Sequence, residues 1–294
     1  MKTQLTLQNE TPHSIKTFAY SHVLDPSHIG CIFCRKTEEG NDLLFDYSHR
    51  DNHGLLTDLA TKLLLLCECV PDGMVVFFPS FAFLQSFLRF LHVKQFYSSM
   101  NNLKQIFVEN QEKDVFAAYT KHVKQEKKGG LLFAVVGGKL SEGINFSDEL
   151  GRSIVMVGLP FPNKTDVVLQ EKMKYLEQQQ IGLGKEFYQN LCIKAVNQAI
   201  GRAFRHKEDW AVVVFMDIRY SRQEIRSGLT QWIEKQGCFC DSNIVLKQSL
   251  SSFFSRFWIV CVIKTMYEKS ISFFHAGQTA SNSFVSSRRF SNLG

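Results

Sequence analysis

Short apolar runs alternate along the chain with longer segments whose apolar residues recur every three or four positions. The runs are typical of strands buried on both faces of a sheet, whereas the longer segments predict amphipathic helices. Strands separated by helices form βαβ units, so the pattern predicts an α/β fold, a parallel sheet flanked by helices. The predicted strands cover residues 29–33, 74–78, 131–136, 154–158 and 212–217, and the predicted helices cover residues 55–69, 81–91, 111–128, 166–180, 186–206 and 222–235.

A glycine-rich polar segment follows the predicted strand 131–136. Gly137 and Gly138 allow a tight turn there, and we expect the following loop at the carboxyl end of the strand. Ligands of open α/β sheets bind at that edge, although ordinary turn chemistry is the alternative interpretation. The residues that we expect in this loop are Ser141, Glu142, Gly143 and Asn145.

A basic motif lies in the predicted helix 186–206. Gln198, Arg202 and Arg205 recur three or four residues apart, so on a helix they would share one face. Gly201 between them leaves room for another surface to approach. Two permanently charged guanidinium groups beside an amide suit a polyphosphate whose negative charge grows during a reaction. The alternative is a solvated basic helix face.

Four blocks of the sequence carry a further signal: residues 77–81 (FFPSF), 137–146 (GGKLSEGINF), 157–163 (VGLPFPN) and 198–206 (QAIGRAFRH). Together they resemble the second motor domain of iron–sulfur DNA helicases of superfamily two, the XPD-like group. Within that group the chain is most similar to the chromosome-loss helicases implicated in sister-chromatid cohesion. The resemblance covers about residues 15 to 240 and implies a RecA-like fold.

The resemblance implies a role in an ATP site that two motor domains share. Arg205 matches the arginine finger that stabilises charge on the γ-phosphate, and Arg202 matches a companion arginine on the phosphates. Gln198 matches a polar contact that senses the nucleotide, next to Gly201. The motif that couples the nucleotide cleft to the DNA-binding surface matches Glu142 and Gly143.

The resemblance also implies contacts with single-stranded or forked DNA. Ser80 lies directly before the predicted helix 81–91, where the family approaches the backbone of the bound strand. Gly138 and Lys139 lie in the loop that does the same. Ser80 as a plain helix N-cap is an equally good interpretation, and Lys139 could be an ordinary loop lysine.

The motifs of the first motor domain are not found in these 294 residues. No G-x-x-x-x-G-K-[ST] loop is present, since Leu140 follows Gly138-Lys139 and Glu186 follows Gly184-Lys185. The resemblance places that loop, the acidic Mg²⁺ motif and the four iron–sulfur cysteines in a missing amino-terminal motor domain. We therefore expect half of an ATPase, sharing ATP and Mg²⁺ with that domain and inactive alone.

Composition adds few constraints. The net charge is +6, but after residue 250 five basic residues stand against one acidic residue, so overall basicity says little about DNA binding. The eight cysteines follow no secretory signal, and the one close pair with metal-like spacing, Cys31 and Cys34, has no partner pair, so we expect no zinc or other metal site. The apolar segment 250–263 is interrupted by Arg256 and too short for a membrane span.

We expect three regions: an extension over residues 1–14, the motor domain over residues 15–240, and a divergent tail over residues 241–294. The tail shows little periodicity, and we expect it to be largely disordered and to derive from an alternative splice junction or an error in the gene model. The expected setting is the nucleus, with replication and cohesion proteins as partners. The alternatives are a non-catalytic isoform or fragment that binds DNA or a helicase partner, and a product without independent function.

Overall fold

The computed structural model describes residues 25–110, 114–126, 129–140 and 144–257. Seven strands form one sheet in the order β3-β4-β2-β5-β6-β1-β7, and every neighbouring pair is parallel. The predicted α/β class with a parallel sheet is therefore confirmed. The strands are β1 (Ile29–Cys34), β2 (Gly73–Phe78), β3 (Gln105–Val108), β4 (Gly130–Val135), β5 (Ser153–Val157), β6 (Ala211–Met216) and β7 (Gly237–Cys240).

Burial explains why five strands are visible in the sequence and two are not. Every residue of β2, β4, β5 and β6 is buried, as a parallel sheet covered on both faces requires. The edge strands β3 and β7 have four residues each and are partly exposed, so they lack a long apolar run. Neither was predicted.

The helices follow the strands and begin at recognisable caps. The side chains of Asn52, Ser80 and Asp166 each accept a backbone hydrogen bond in the first turn of a helix, which satisfies N–H groups that have no partner within the helix. The helices are α1 (His53–Cys69), α2 (Phe81–Val93), α3 (Phe96–Leu103), α4 (Val115–Glu126), α5 (Val167–Gln179), α6 (Leu183–Ile200), α7 (Gln223–Arg226) and α8 (Gln231–Gln236).

Two predicted helices are wrong in extent. The helix predicted over residues 186–206 is α6, which ends at Ile200. The helix predicted over residues 222–235 is two short helices, α7 and α8. Gly228 lies in the break between them, where an added Cβ would come 2.7 Å from Cδ1 of Ile193. The break therefore lets the chain approach α6 closely.

The segment that joins β4 to β5 contains no α-helix in its described residues, only a short 3-10 helix over Asp148–Leu150. Because β2 lies between these parallel strands, residues 136–140 begin at the carboxyl edge of the sheet and residues 144–152 end at the amino edge. Phe146 anchors the crossing: it is fully buried, and its ring centroid lies 6.0 Å from that of Phe77 on β2 and 5.7 Å from that of Phe116 on α4. Hereafter residues 136–152 are called the crossing segment.

The chain divides into two units, residues 1–250 and residues 251–294. In the first unit residues 243–250 are helical, and Leu246 and Leu250 are buried. In the second unit residues 251–257 are helical. The expectation of a disordered tail therefore does not hold for residues 243–257, while residues 1–24 and 258–294 lie outside the described residues. None of the helices described has the length and apolar character needed to span a bilayer.

Candidate functional site

The basic motif straddles the end of α6 instead of lying on one helix face. Gln198 is exposed on the last turn of α6, and Gly201 is the C-cap of this helix. Arg202 and Arg205 follow in a non-helical stretch, and residues 201–206 are hereafter called the arginine turn. The helix stops here because the peptide groups turn back: the Ala203 amide bonds the Ile200 carbonyl at 3.0 Å. The prediction that both arginines share a helix face with Gln198 is therefore wrong.

Gly201 is exposed, and an added Cβ would meet the carbonyl oxygen of Asn197 at 3.2 Å. That contact lies within α6 itself. In the described part of the chain no other surface approaches this glycine within 4 Å. The role predicted for Gly201, leaving room for a second surface, stays a prediction.

The arginine turn is bonded to the crossing segment. The Phe146 amide donates to the Arg202 carbonyl at 2.9 Å, and Nη1 of Arg202 lies 3.4 Å from the Ile144 carbonyl oxygen. Nη1 of Arg205 lies 3.4 Å from Oδ1 of Asn145. Arg202 is half-buried and Arg205 is exposed, so both arginine side chains contact neighbouring residues of the crossing segment while Arg205 faces solvent.

Asp209, which was not predicted as a site residue, anchors the arginine turn through its carboxylate. Its side chain is buried, 1% exposed, and accepts hydrogen bonds from the Asp148 amide at 3.2 Å and the Arg205 amide at 3.4 Å. It also accepts one from the Trp210 amide at 2.9 Å and one from Nη1 of Arg152 at 3.1 Å. One carboxylate therefore joins the crossing segment, the arginine turn and the start of β6.

Arg152 is the charge partner of Asp209. Its guanidinium lies 3.9 Å from the centre of the Trp210 ring and donates to the Trp210 carbonyl at 3.0 Å. Burial lowers the pKa of Arg152, and the carboxylates of Asp209 and Asp72 oppose this shift. A buried ion pair of this kind is stable only with good geometry and further polar contacts. Here these are the hydrogen bond to the Trp210 carbonyl and the cation–π contact with the Trp210 ring.

Asp148 and His206 complete a cluster with Asp209. Nε2 of His206 lies 3.0 Å from Oδ1 of Asp148, and one ligand atom from each residue lies within 4.8 Å of the others. This is the one group of three or more potential metal ligands among the described residues. The oxygens of Asp209 already accept hydrogen bonds from Arg152 and from backbone amides, and these contacts account for its position.

The predicted DNA contacts lie at the opposite, carboxyl edge of the sheet. Ser80 follows β2, and its Oγ accepts a hydrogen bond from the Phe83 amide at 3.2 Å, so it is an N-cap. Gly138 and the exposed Lys139 follow the neighbouring strand β4, and the Val136 amide bonds the Phe78 carbonyl at 2.9 Å. These three residues therefore share one edge of the sheet.

Two amides of the loop after β4 donate to acceptors within the protein. The Gly138 amide donates to the Val135 carbonyl at 2.9 Å, and the Leu140 amide donates to Oε1 of Glu109 at 3.1 Å. These two amides therefore already have acceptors within the protein. The DNA contacts predicted for Gly138 and Lys139 stay predictions.

The predicted site residues thus form two groups on opposite edges, joined by the crossing segment. Ser80, Gly138 and Lys139 lie at the carboxyl edge, and the arginine turn lies at the amino edge. The prediction that Asn145 belongs to the carboxyl edge is wrong, because it contacts Arg205. Ser141, Glu142 and Gly143 lie outside the described residues.

Residues 63–236, more than half of the chain, match the family model described as Helicase C-terminal domain. The chain belongs to this family. The ATP-dependent DNA helicase chl-1 of Caenorhabditis elegans is 41% identical over 222 residues, which cover 75% of this chain and 27% of that protein. The ATP-dependent DNA helicase chl1 of Schizosaccharomyces pombe is 39% identical over 233 residues, which cover 75% of this chain and 28% of that protein.

Solved structures agree on the fold of this helicase domain. The structure of S. tokodaii Xpd4 superposes with a TM-score of 0.53 at 19% sequence identity, covering 72% of this chain and 38% of that chain. A second, XPD_Helicase, gives a TM-score of 0.53 at 21% identity, covering 72% and 35%. The expected RecA-like, XPD-like helicase fold is therefore confirmed, and the chain spans under a third of the length of the two chl1 helicases named above.

Asp209→Ala should destabilise the helicase domain strongly, because it leaves the buried Arg152 charge without its nearest carboxylate. We expect a loss of about 3–5 kcal/mol in the free energy of unfolding, measured by urea denaturation. The neighbouring Glu208 is exposed, so Glu208→Ala should stay within about 0.5 kcal/mol of the unmodified chain. Equal stability of the two variants would contradict the anchoring role of Asp209.

Proposed function

We propose that this chain is the second motor domain of an ATP-dependent DNA helicase. It completes an ATP site from its amino edge and contacts single-stranded DNA at its carboxyl edge. The observation that carries the proposal is the arginine turn: Arg205 is exposed while its own amide is tied to the buried carboxylate of Asp209. A cation that is fixed through its backbone and open to solvent suits a phosphate brought by another domain.

In this proposal Arg205 is the arginine finger. Charge stabilisation in phosphoryl transfer depends on donors that are placed before the reaction, and the peptide groups of the arginine turn provide that placement. The contact between Arg205 and Asn145 is long, 3.4 Å, so the guanidinium can exchange it for a phosphate. Arg202 supports the phosphates beside it, and Gln198 on the last turn of α6 senses the nucleotide next to Gly201.

The crossing segment supports a coupling role for Glu142 and Gly143. On its carboxyl-edge side it carries Gly138 and Lys139, and on its amino-edge side it is bonded to the arginine turn. A displacement at either end would reach the other through one stretch of chain anchored by Phe146. We propose that binding of DNA and of nucleotide communicate by this route.

The bound nucleotide is ATP with Mg²⁺, shared with a first motor domain. At the amino edge of the sheet, Arg202 and Arg205 offer positive charge to phosphates. The carboxylates of Asp148 and Asp209 at the same edge already contact His206, Arg152 and backbone amides. Mg²⁺ prefers free carboxylate and phosphate oxygens, so we assign its protein ligands to the partner domain. An iron–sulfur cluster would also belong there, as the resemblance to the XPD-like helicases implies.

The wider setting is proposed from the similarity to the chl1 helicases. We propose movement from 5′ to 3′ on single-stranded or forked DNA, in the nucleus, during replication, repair and sister-chromatid cohesion, together with replication and cohesion proteins. The second candidate is a non-catalytic isoform or fragment that binds DNA or a helicase partner. This second candidate is retained because these 294 residues contain no phosphate-binding loop motif.

The finger assignment predicts that charge alone cannot replace Arg205, because lysine lacks the planar fork of the guanidinium. Residues 63–236 would replace the matching segment of Schizosaccharomyces pombe chl1, and ATP hydrolysis would be measured with single-stranded DNA. We expect Arg205→Lys and Arg205→Ala each to lower the rate roughly a thousandfold. Lys207→Ala, which removes a positive charge from an exposed neighbour, should change it little. An Arg205→Lys form with most of the activity would refute the assignment.

The DNA contact at Ser80 can be separated from its capping role by Ser80→Asp. Aspartate caps helices as well as serine, so the free energy of unfolding should stay within about 0.5 kcal/mol. The new carboxylate would repel a DNA phosphate, and affinity for a fluorescent oligothymidine should fall on the order of five- to tenfold.

Ser242→Asp is the matched control, since Ser242 also accepts a hydrogen bond from an amide three residues on, that of Val245 at 3.3 Å. It follows the edge strand β7, far along the sheet from β2. Both substitutions add the same charge to the chain. Equal DNA affinities for the two variants would mean that Ser80 is a cap and not a DNA contact.

A further inference from the structure

Glu109 is a buried carboxylate at the end of the edge strand β3. It is 3% exposed, and its own amide donates to the Phe133 carbonyl at 2.8 Å. Oε2 accepts a hydrogen bond from the Val135 amide at 2.8 Å, and Oε1 accepts one from the Leu140 amide at 3.1 Å. The side chain thus closes the turn that begins the crossing segment.

The same carboxylate explains the glycine at position 138. A Cβ on Gly138 would lie 2.5 Å from Oε1 of Glu109 and 2.8 Å from Oε2, so any larger residue would displace it. Gly137 before it has a φ of +78°, a conformation that favours glycine. Residues 136–140 are therefore folded around the carboxylate of Glu109.

Burying an ionised carboxylate is unfavourable unless charge-assisted hydrogen bonds replace its water. An uncharged residue could fill this position, but a neutral amide side chain could not accept from both N–H groups equally well. The carboxylate accepts hydrogen bonds from two backbone amides on either side of one turn, and it thereby sets the path of the chain between Val135 and Leu140. Lys139 lies within that path.

We propose that Glu109 is a positioning residue for DNA binding, which holds the loop so that Lys139 meets a phosphate of single-stranded DNA beside Ser80. The inference rests on the proposed function, because it takes the carboxyl edge to be the DNA-binding edge. Glu109 acts through the loop and does not itself contact the strand.

A purely electrostatic role and a positioning role of Glu109 predict opposite changes in DNA affinity for Glu109→Gln. Removing a negative charge close to a DNA-binding edge should, by Coulomb attraction alone, tighten binding. If Glu109 positions the loop, binding should weaken instead, because glutamine places an NH₂ donor against one of the two N–H donors. The direction of the change therefore separates the two accounts.

The first experiment measures the affinity of the 294-residue chain for fluorescent oligothymidine by anisotropy. We expect Glu109→Gln to bind on the order of five- to tenfold more weakly, while Glu171→Gln, which removes the same charge from an exposed surface pair with Lys174, changes affinity little. In a Lys139→Ala background the effect of Glu109→Gln should largely disappear, since the two act through one contact. Unchanged or tighter binding by Glu109→Gln, or additive effects, would overturn the proposal.

The second experiment reads the loop directly by amide hydrogen exchange without DNA. Glu109→Gln should speed exchange at Leu140, with strands β2 and β5 as protected internal references. Glu109→Asp keeps the charge on a shorter side chain and should restore DNA affinity only in part. Unchanged exchange at Leu140 would contradict the claim that Glu109 holds this loop. If the unmodified chain binds no DNA, the proposed function fails, whereas faster exchange at Leu140 in Glu109→Gln would still establish that Glu109 holds the loop.

Discussion

The crossing segment is the constraint on which the rest of the site depends. In a parallel sheet the chain must return from the carboxyl edge to the amino edge between strands, and most connections here use a helix to do so. Between β4 and β5 the chain makes this return next to β2, and the buried ring of Phe146 packs on that strand. The described ends of this segment lie at the two edges that carry the two groups of candidate residues.

Two buried carboxylates, one at each edge, hold the ends of this segment. Glu109 bonds the amides of Val135 and Leu140, and Asp209 bonds those of Asp148 and Arg205. Both accept hydrogen bonds from backbone amides, and Asp209 also accepts one from Arg152, while Lys139 and Arg205 in the same loops are exposed. Buried acids that shape loops and exposed bases in the same loops are a consistent division of roles for the proposed binding of polyanions.

The sequence predicted much of this fold because burial on both faces makes central strands continuous apolar runs. Strand β6 and strand β4 could be placed to within a residue or two. The edge strand β3 could not, since its four residues are only partly buried. The end of α6 was misplaced because the residues after Ile200 keep helical spacing, and a turn bonded to Phe146 can be recognised only once the crossing segment is in place.

The motifs of the candidate site could be recognised in the sequence, but the residues that hold these motifs in place could not. Arg202 and Arg205 stand out by charge and spacing, and Gly138 by its neighbours. Asp209 and Glu109 do not, because an isolated acid after a loop or strand resembles any surface acid until its burial is known. Motifs mark the groups that meet a ligand, whereas the residues that place them act through contacts distant in sequence, such as Arg152 with Asp209.

The most direct test of a half ATP site is hydrolysis by the purified 294-residue chain. Turnover would be measured with and without single-stranded DNA, using highly purified protein so that contaminating ATPases do not obscure a null result. The account predicts no turnover above background in either condition, because the arginines stabilise charge only on a phosphate that another domain holds. DNA-stimulated turnover that Arg205→Ala abolishes would contradict it and would mean that this chain builds a complete site.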